Sequence, residues 1–402
     1  MKTKIYNISK IISWNVIDNC INIIRNHDIL IEDNKIINID SNINDYDKLI
    51  DAENCIITPG FIDSHTHPIF IGNRANEFIM RAQGKTYKDI SEAGGGINSS
   101  VINLRKSTKE ELYNASLENI KPFILNGTTT IEAKSGYGLS LDDEIKSLEV
   151  IKELNDNLDI DIVPTFLGAH VVPPEYSNRK QDYINLICNE MIPEISNRNL
   201  AIFCDVFCEE GYFNAEESKQ ILLKAKNYGL IPRLHADEFV YSRASELANE
   251  IGAISADHLM AINDDGIKAL SNSNTIATLL PGTTFFLNSK EYADGRKLID
   301  NNCRVSLATD FNPGTCTIRS LSNIMFLAIN HCGLSLEESF LGITYNAACA
   351  IGKEKELGLI SDGYNADLIF WNLQNLEEIP YWFDTSKTKI KKIIKNGIEV
   401  LN

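Results

Sequence analysis

Short apolar runs alternate with longer amphipathic stretches through the middle of the chain, and the two ends keep a different rhythm. At the amino end, KIYNI, ILIEDNKIINI and NCIIT alternate or run apolar between Asp/Asn-rich turns, the pattern of short strands. The tail repeats it, with ADLIFWNL and KIIKNGIEVL flanking a polar loop. Strand-rich ends around a different middle predict that residues 1–58 and 355–402 pair into one small β-sandwich domain, because chain termini often lie close together.

Residues 59–354 hold eight strand candidates: TPGFIDSHTH, TTTIEAKSGYG, IVPTFLGAH, AIFCDVF, IPRLHAD, ISADHL, IATLLPG and RVSLATD. Segments such as KEELYNASLENIKPFILNG and AEESKQILLKAKNYG fit helices between them. Eight such units predict an α/β fold, a (β/α)₈ TIM barrel. A doubly wound open sheet is the competing arrangement, but no G-x-G-x-x-G follows a strand.

Composition narrows the class. A chain of 402 residues suits one large domain plus a smaller one, and 44% hydrophobic with 23% charged residues is ordinary for a globular protein. A net charge of −17 disfavours nucleic acid and anionic membranes as partners, and leaves small molecules. If the substrate is an anion, local cations must overcome that field. The first residues have no continuous apolar run or cleavage site, and no stretch of 18 apolar residues occurs. The nine cysteines are scattered without C-x-x-C, the pattern of free thiols, so a cytoplasmic location is expected.

The histidines carry the sharpest information. Five of the seven fall at or near carboxyl ends of the expected strands: His65 and His67 on the first, His170 on the third, His235 on the fifth and His258 on the sixth. Asp310 ends the eighth. In a barrel all those ends open on one face, so these side chains converge on one mouth. His65 and His67, two apart on a strand, point the same way and can share one metal ion. An H-x-H pair alone is a weak signal; closing a first barrel strand, it is much stronger. With His235 and Asp310 it makes a mixed nitrogen/oxygen set suited to Zn²⁺ or Fe²⁺, able to generate a nucleophilic water near neutral pH. Taken alone, Asp310 would be a turn residue before Asn312 and Pro313.

Glu238, three residues past His235, could carry protons as a general acid/base; the plainer reading is a solvated acid on a first helical turn. His258 could stabilise an oxyanion, or be a core histidine bonded to a carbonyl. Arg74 offers a planar fork for a carboxylate and Tyr137 a hydroxyl donor; by themselves they are a surface cation and a packed aromatic. Lys134 ends the second strand, not the fourth, so a carboxylated lysine bridging two metals is not expected and one metal is. Gly94–Gly96 lacks the Lys-Ser/Thr of a phosphate loop and reads as a mobile flap over the site. His27 and His331 stand outside any constellation.

H-x-H on the first strand, His on the fifth and sixth and Asp on the eighth together resemble the amidohydrolase superfamily. The likeness runs end to end, split β domain included. The segments SHTHPIFIGNRANEF, AGGGI, EAKSGYGL, FLGAHVVPPEY, LHADEF and LATDFNPGT are similar to the imidazolonepropionase family within it. That resemblance implies one divalent metal, Zn²⁺ or Fe²⁺, on His65, His67, His235 and Asp310. It implies substrate contacts at Arg74, Tyr137, His170 and Glu238, and product contacts at Asn312, Gly314 and Thr315. The implied reaction opens the ring of 4-imidazolone-5-propanoate with a metal-activated water, giving N-formimidoyl-glutamate in histidine degradation. Glu238, His258 and Asp310 share the catalytic proton transfers and oxyanion stabilisation, and Arg74 pairs with the propionate. Many barrels of this kind dimerise, so a homodimer is expected.

Two rivals use the same residues differently. A cytosine or guanine deaminase would attack a C=N–NH₂ carbon with the same ligand set; Arg74 and the Tyr137 loop favour an anionic ring instead. A barrel kept only as a scaffold should have lost a ligand, and every expected ligand is present.

Overall fold

The computed structural model describes residues 1–85, 89, 94–383 and 386–401. The two chain ends form two facing sheets. Strand Lys2–Tyr6 lies between Asp28–Glu32 (antiparallel) and Lys48–Asp51 (parallel), with Lys35–Asp40 at the far edge. The second sheet runs, in spatial order, Ile398–Leu401, Ile390–Lys395, Leu368–Trp371, Ile56–Pro59, Lys10–Asn15 and Cys20–Ile24. The termini meet inside it: Leu368 stands opposite Pro59 and Trp371 opposite Ile56. Ile5, Ile29 and Ile31 from one sheet pack on Ile11, Ile57, Leu368 and Phe370 from the other. The alternation in KIYNI and DILIE turns this set inward, as a sandwich requires.

The chain between these two ends forms a parallel sheet whose strands pair in chain order: β1 (Phe61–Asp63), β2 (Thr128–Lys134), β3 (Asp161–Ala169), β4 (Phe203–Cys208), β5 (Ile231–Ala236), β6 (Ser255–His258), β7 (Ile276–Leu279) and β8 (Val305–Leu307). Each of the eight expected apolar runs supplies one strand. All seven residues of β2 are buried, the mark of a strand covered on both faces. The expected helices are present at Lys109–Leu125 and Ala215–Asn227. Each starts with a capping box, Thr108 with Glu111 and Asn214 with Glu217, which satisfies otherwise orphaned amides.

The sheet closes between β8 and β1, mostly through residues just past the strands. Thr309 donates from its backbone N (3.1 Å) and its Oγ1 (2.6 Å) to the Asp63 carboxylate. Asp310 N donates to the His65 carbonyl and His67 N to the Phe311 carbonyl. Asp63 is fully buried, and burial pushes its pKa up to about 7. At the other flank of β1, Gly60 is required by contact: a Cβ there would stand 2.2 Å from Thr129 Oγ1.

Gly96, expected in a mobile flap, caps the helix Ile97–Lys106 and donates its N–H to Glu77 at 2.9 Å. Gly94, with φ +83°, and Gly95, the rest of that expected flap, form the turn leading into this helix. Among the described residues no helix is long and apolar enough to cross a membrane.

Lys395 joins the two layers of the molecule. Its buried ammonium donates at 2.6 Å both to Asp367, in the terminal sheet region, and to Asp161 at the start of β3. Removing one member of a buried pair leaves an uncompensated charge, at about 3–5 kcal/mol. Lys395→Met is therefore expected to lower the melting temperature sharply while leaving the circular-dichroism spectrum of the folded protein unchanged. A melting temperature equal to the wild type's would show that the ammonium does not hold the layers together.

Candidate active site

The expected site residues do converge. His65 and His67 lie just past β1, His170 just past β3, His235 near the end of β5, His258 at the end of β6 and Asp310 just past β8. They surround the floor of a cavity of about 480 Å³ that also takes in Arg74, Tyr137, Glu238, Asn312 and Thr315. His65 and Gly314 sit behind its wall. Phe207 and Tyr212 add an aromatic side that the motifs did not reveal.

At the floor, Nε2 of His67 is 3.2 Å from Nε2 of His65 and 3.3 Å from Nε2 of His235. Asp310 Oδ1 lies 3.4 Å from His67 Nε2 and 3.6 Å from His65 Nε2. His65 spends its Nδ1–H on Asp257 Oδ2 at 2.7 Å and His235 spends its own on Asp205 Oδ1 at 3.1 Å. Both therefore turn an Nε2 lone pair inward. His67 Nε2 and Asp310 Oδ1 are the two of these atoms left able to carry a proton, so lone pairs of His65 and His235 face inward. A divalent ion answers such lone pairs, and the ligand-capable groups fall into two sets that share His65, one with His67 and Asp310 and one with His235 and His258. Tetrahedral bonds of about 2.0–2.1 Å put neighbouring ligand atoms about 3.3 Å apart, close to these spacings. Burial, first of all causes, holds the imidazoles of His65 and His67 well below their ordinary pKa, in the neutral form that ligation needs. The cluster is thus built for a metal cofactor.

The second half of the site holds polar groups with capacity to spare. Burial takes His258 down to about 3, and neither of its ring nitrogens has a hydrogen-bond partner among the described residues. Glu238 Oε1 is 3.6 Å from its Nδ1. Burial, then the charges of Asp310 and Glu209, push Glu238 well above the usual carboxylate range. Tyr137 is also raised by burial and keeps its proton, leaving a donor. His170 donates its Nδ1–H to the Gly136 carbonyl at 2.9 Å and stacks on His67.

Several residues at this mouth hold unusual backbone. His258 has φ +86°, Leu259 +64°, Asp310 +52° and Asp237 +49°. Conformations of this kind cost of order 1–3 kcal/mol each and persist where the surroundings enforce them. Asp237 shows how: its carboxylate accepts from the backbone N of Ser242, Ala244 and Ser245 and from both serine hydroxyls.

Some positioning residues had no motif to announce them. Glu77 grips Arg74 in a two-point fork at 2.9 and 2.7 Å, and the spacing R-x-x-E at the start of a helix was the available sign. Thr283 donates to Asp310 Oδ2 at 2.5 Å, and Glu209 accepts from the backbone N of Glu238 and Phe239. Asp205, Asp257 and Arg233 were visible as charges inside apolar strand runs, which is where such groups serve a site. Asn312 spends its side chain locally, on Asp310 O, Thr315 Oγ1 and the N–H groups of Gly314 and Thr315. A Cβ on Gly314 would stand 2.2 Å from Arg74 Nη1, so the guanidinium held by Glu77 would have to shift. Lys134 is in ion pairs with Glu132 at 2.8 Å and Asp205 at 2.9 Å, buried and away from the cavity.

A closed parallel barrel with this His/Asp cluster at its carboxyl ends defines a metal-dependent hydrolase of the amidohydrolase class, and the Amidohydrolase family pattern matches residues 214–400. Imidazolonepropionase of Geobacillus kaustophilus is 46% identical over 88% of this chain and 83% of its own. Those of Clostridium tetani (42%, covering 94% and 91%) and Kosmotoga olearia (44%, covering 93% and 90%) are similarly close. The chain belongs to the imidazolonepropionase family. Among solved structures, a guanine deaminase from C. acetobutylicum with bound guanine superposes with TM-score 0.75 at 18% identity over all of both chains. An adenosine deaminase from Xanthomonas campestris with bound Zn superposes with TM-score 0.73 at 13%, over 99% and 92%. At such identities they share the fold alone.

Metal bound by the folded protein adds to its stability as RT ln(1 + [L]/Kd), about 4 kcal/mol at a thousand-fold excess over Kd. Chelated protein should therefore melt several degrees lower and recover on adding Zn²⁺ or Co²⁺. His235→Ala should lose the recovery. A melting temperature indifferent to metal in the wild type would count against the cluster as a metal site.

Proposed function

We propose that this protein opens the ring of 4-imidazolone-5-propanoate with water, giving N-formimidoyl-L-glutamate, and that one divalent ion, Zn²⁺ or Fe²⁺, sits on His65, His67, His235 and Asp310. The observation that carries the reading is the cavity's polarity. His67, His235 and Asp310 line its floor with His65 behind them, and a fork-held arginine lies on its wall, within a chain 46% identical to an imidazolonepropionase. A ring amide bearing a propionate needs both ends.

The ion, when bound, lowers the pKa of its water toward ~7 and polarises a carbonyl. The protein's own groups do the rest. Arg74 binds the propionate, its guanidinium already fixed by Glu77, so little rotamer entropy remains to be lost. Arg74 and Arg81 around the single carboxylate of Glu77 leave a local positive charge, which answers how a chain of net charge −17 holds an anion. His258, neutral and unpartnered, presents an N–H to the oxygen that gains charge as the carbonyl carbon becomes tetrahedral. Asp310 takes a proton from the attacking water. Glu238, displaced upward by burial, binds the ring N–H and returns a proton to the departing nitrogen. The C–O bond forms, the ring C–N bond breaks, and one water is consumed per turnover. Tyr137 and His170 line the ring's other side, and the Asn312–Thr315 loop contacts the product.

Loss of 4-imidazolone-5-propanoate absorbance is expected with metallated protein, to stop on chelation and to return with metal. Fully metallated protein that leaves the absorbance unchanged would reject this substrate. Gly314→Ala pushes on the Arg74 guanidinium and should lower kcat/KM by roughly 10- to 100-fold, chiefly through KM, as expected for a lost charged hydrogen bond. Glu238→Gln and His258→Asn should each lower kcat and alter the pH–rate profile; unchanged rate and profile in both would remove them from the mechanism.

A further inference from the structure

Beneath the four ligand atoms lies a layer of buried charge that the reaction itself does not use. Glu132, Lys134, Asp205, Arg233 and Asp257 are all fully buried, on β2, β4, β5 and β6. Two relays run upward from it. Arg233 Nη2 donates to Asp257 Oδ2 at 2.8 Å, the same oxygen that receives His65 Nδ1–H, and also to the carbonyl of Ser64 at 2.8 Å, the peptide that leads into His65. One guanidinium nitrogen thus fixes both the backbone before that histidine and the partner of its ring. On the other side, Lys134 Nζ pairs with Asp205 Oδ2 at 2.9 Å. Asp205 Oδ1 accepts both the backbone N of His235 (3.2 Å) and its Nδ1–H (3.1 Å).

His65, Asp205 and Asp257 also approach one another closely enough to suggest a second ion site. Both of these carboxylates are already matched by the protein's own cations. The layer has three carboxylates against two cations, leaving one negative charge, and Asp310 above it adds a second. That balance complements a single dication.

We propose that Arg233 and Lys134 are positioning residues that set metal affinity by holding Asp257 and Asp205, and through them the inward Nε2 atoms of His65 and His235. This rests on reading those histidines as ligands. Removing such a support typically costs roughly 10–100-fold in metal affinity. Lysine at 233 offers a point charge on a shorter reach than the guanidinium fork and cannot span Ser64 O and Asp257 in the same way.

The test is Co²⁺ titration of the chelated full-length protein, read by its visible ligand-field spectrum and by bound-metal stoichiometry, with melting curves of the metal-free proteins alongside. Arg233→Met and Lys134→Met are expected to bind Co²⁺ about 10–100-fold more weakly with an altered spectrum, and Arg233→Lys to fall between Arg233→Met and wild type. If Arg233→Met does not fold, Arg233→Lys and Lys134→Met carry the test. Folded variants with wild-type Co²⁺ affinity and spectrum, even with lowered melting temperatures, would show a merely structural role and overturn the proposal. Wild-type protein that takes up no Co²⁺ would instead overturn the ligand assignment itself.

Discussion

Asp310 and the His65–His67 pair are separated by more than half the chain, and nothing local brings them together. They meet because β8 closes on β1. Thr309 grips Asp63, and the backbone of Asp310 and Phe311 pairs with that of His65 and His67. Every other distance at the floor depends on this seam. If the sheet stayed open, His235 and His258 could still line a groove, but the carboxylate would lie at the opposite edge. Parallel order then fixes the rest, since eight strands running the same way can only open their carboxyl ends on one face.

The seam places a cluster of polar groups where water is scarce, and that sets the electrostatics. A buried carboxylate without partners would take up a proton or destabilise the fold. Asp205 and Asp257 are each paired both with a cation and with an imidazole, so their cost is met by neighbours. Those neighbours in turn settle which nitrogen of each histidine faces inward. Glu238 and His258 differ: buried and less fully paired, they are pushed in opposite directions, the carboxyl up and the imidazole down. Divergent shifts side by side are the usual condition for proton transfer near neutral pH.

The cavity wall is arranged by a different means, close contact. Arg74 is held by Glu77 on one side and by the missing Cβ of Gly314 on the other. Glu77 also receives the amide of Gly96, so the glycine run is tied to the same clamp. Backbone forced into positive φ at Asp237, His258 and Asp310 re-aims the chain just where each strand ends. The small sandwich stands apart from this chemistry, joined to the barrel start by Lys395.

The sequence by itself determined the strands, their order and the identity of the groups at their ends. Short apolar runs, amphipathic stretches between them, and His or Asp closing five runs are local features, and local features survive in a linear string. It also carried the family likeness in segments such as LHADEF and LATDFNPGT. What it could not supply was partnership between distant residues. That Arg233 reaches Ser64 and Asp257, that Thr283 holds Asp310, and that Gly314 makes room for Arg74 are facts of packing across strands far apart in the chain. The glycine run read as a flap because glycine permits many conformations, while only the fold assigns Gly96 to a helix cap. Residue types limit what chemistry is available; the closed barrel, by fixing which of them come within about 3 Å, decides which is used.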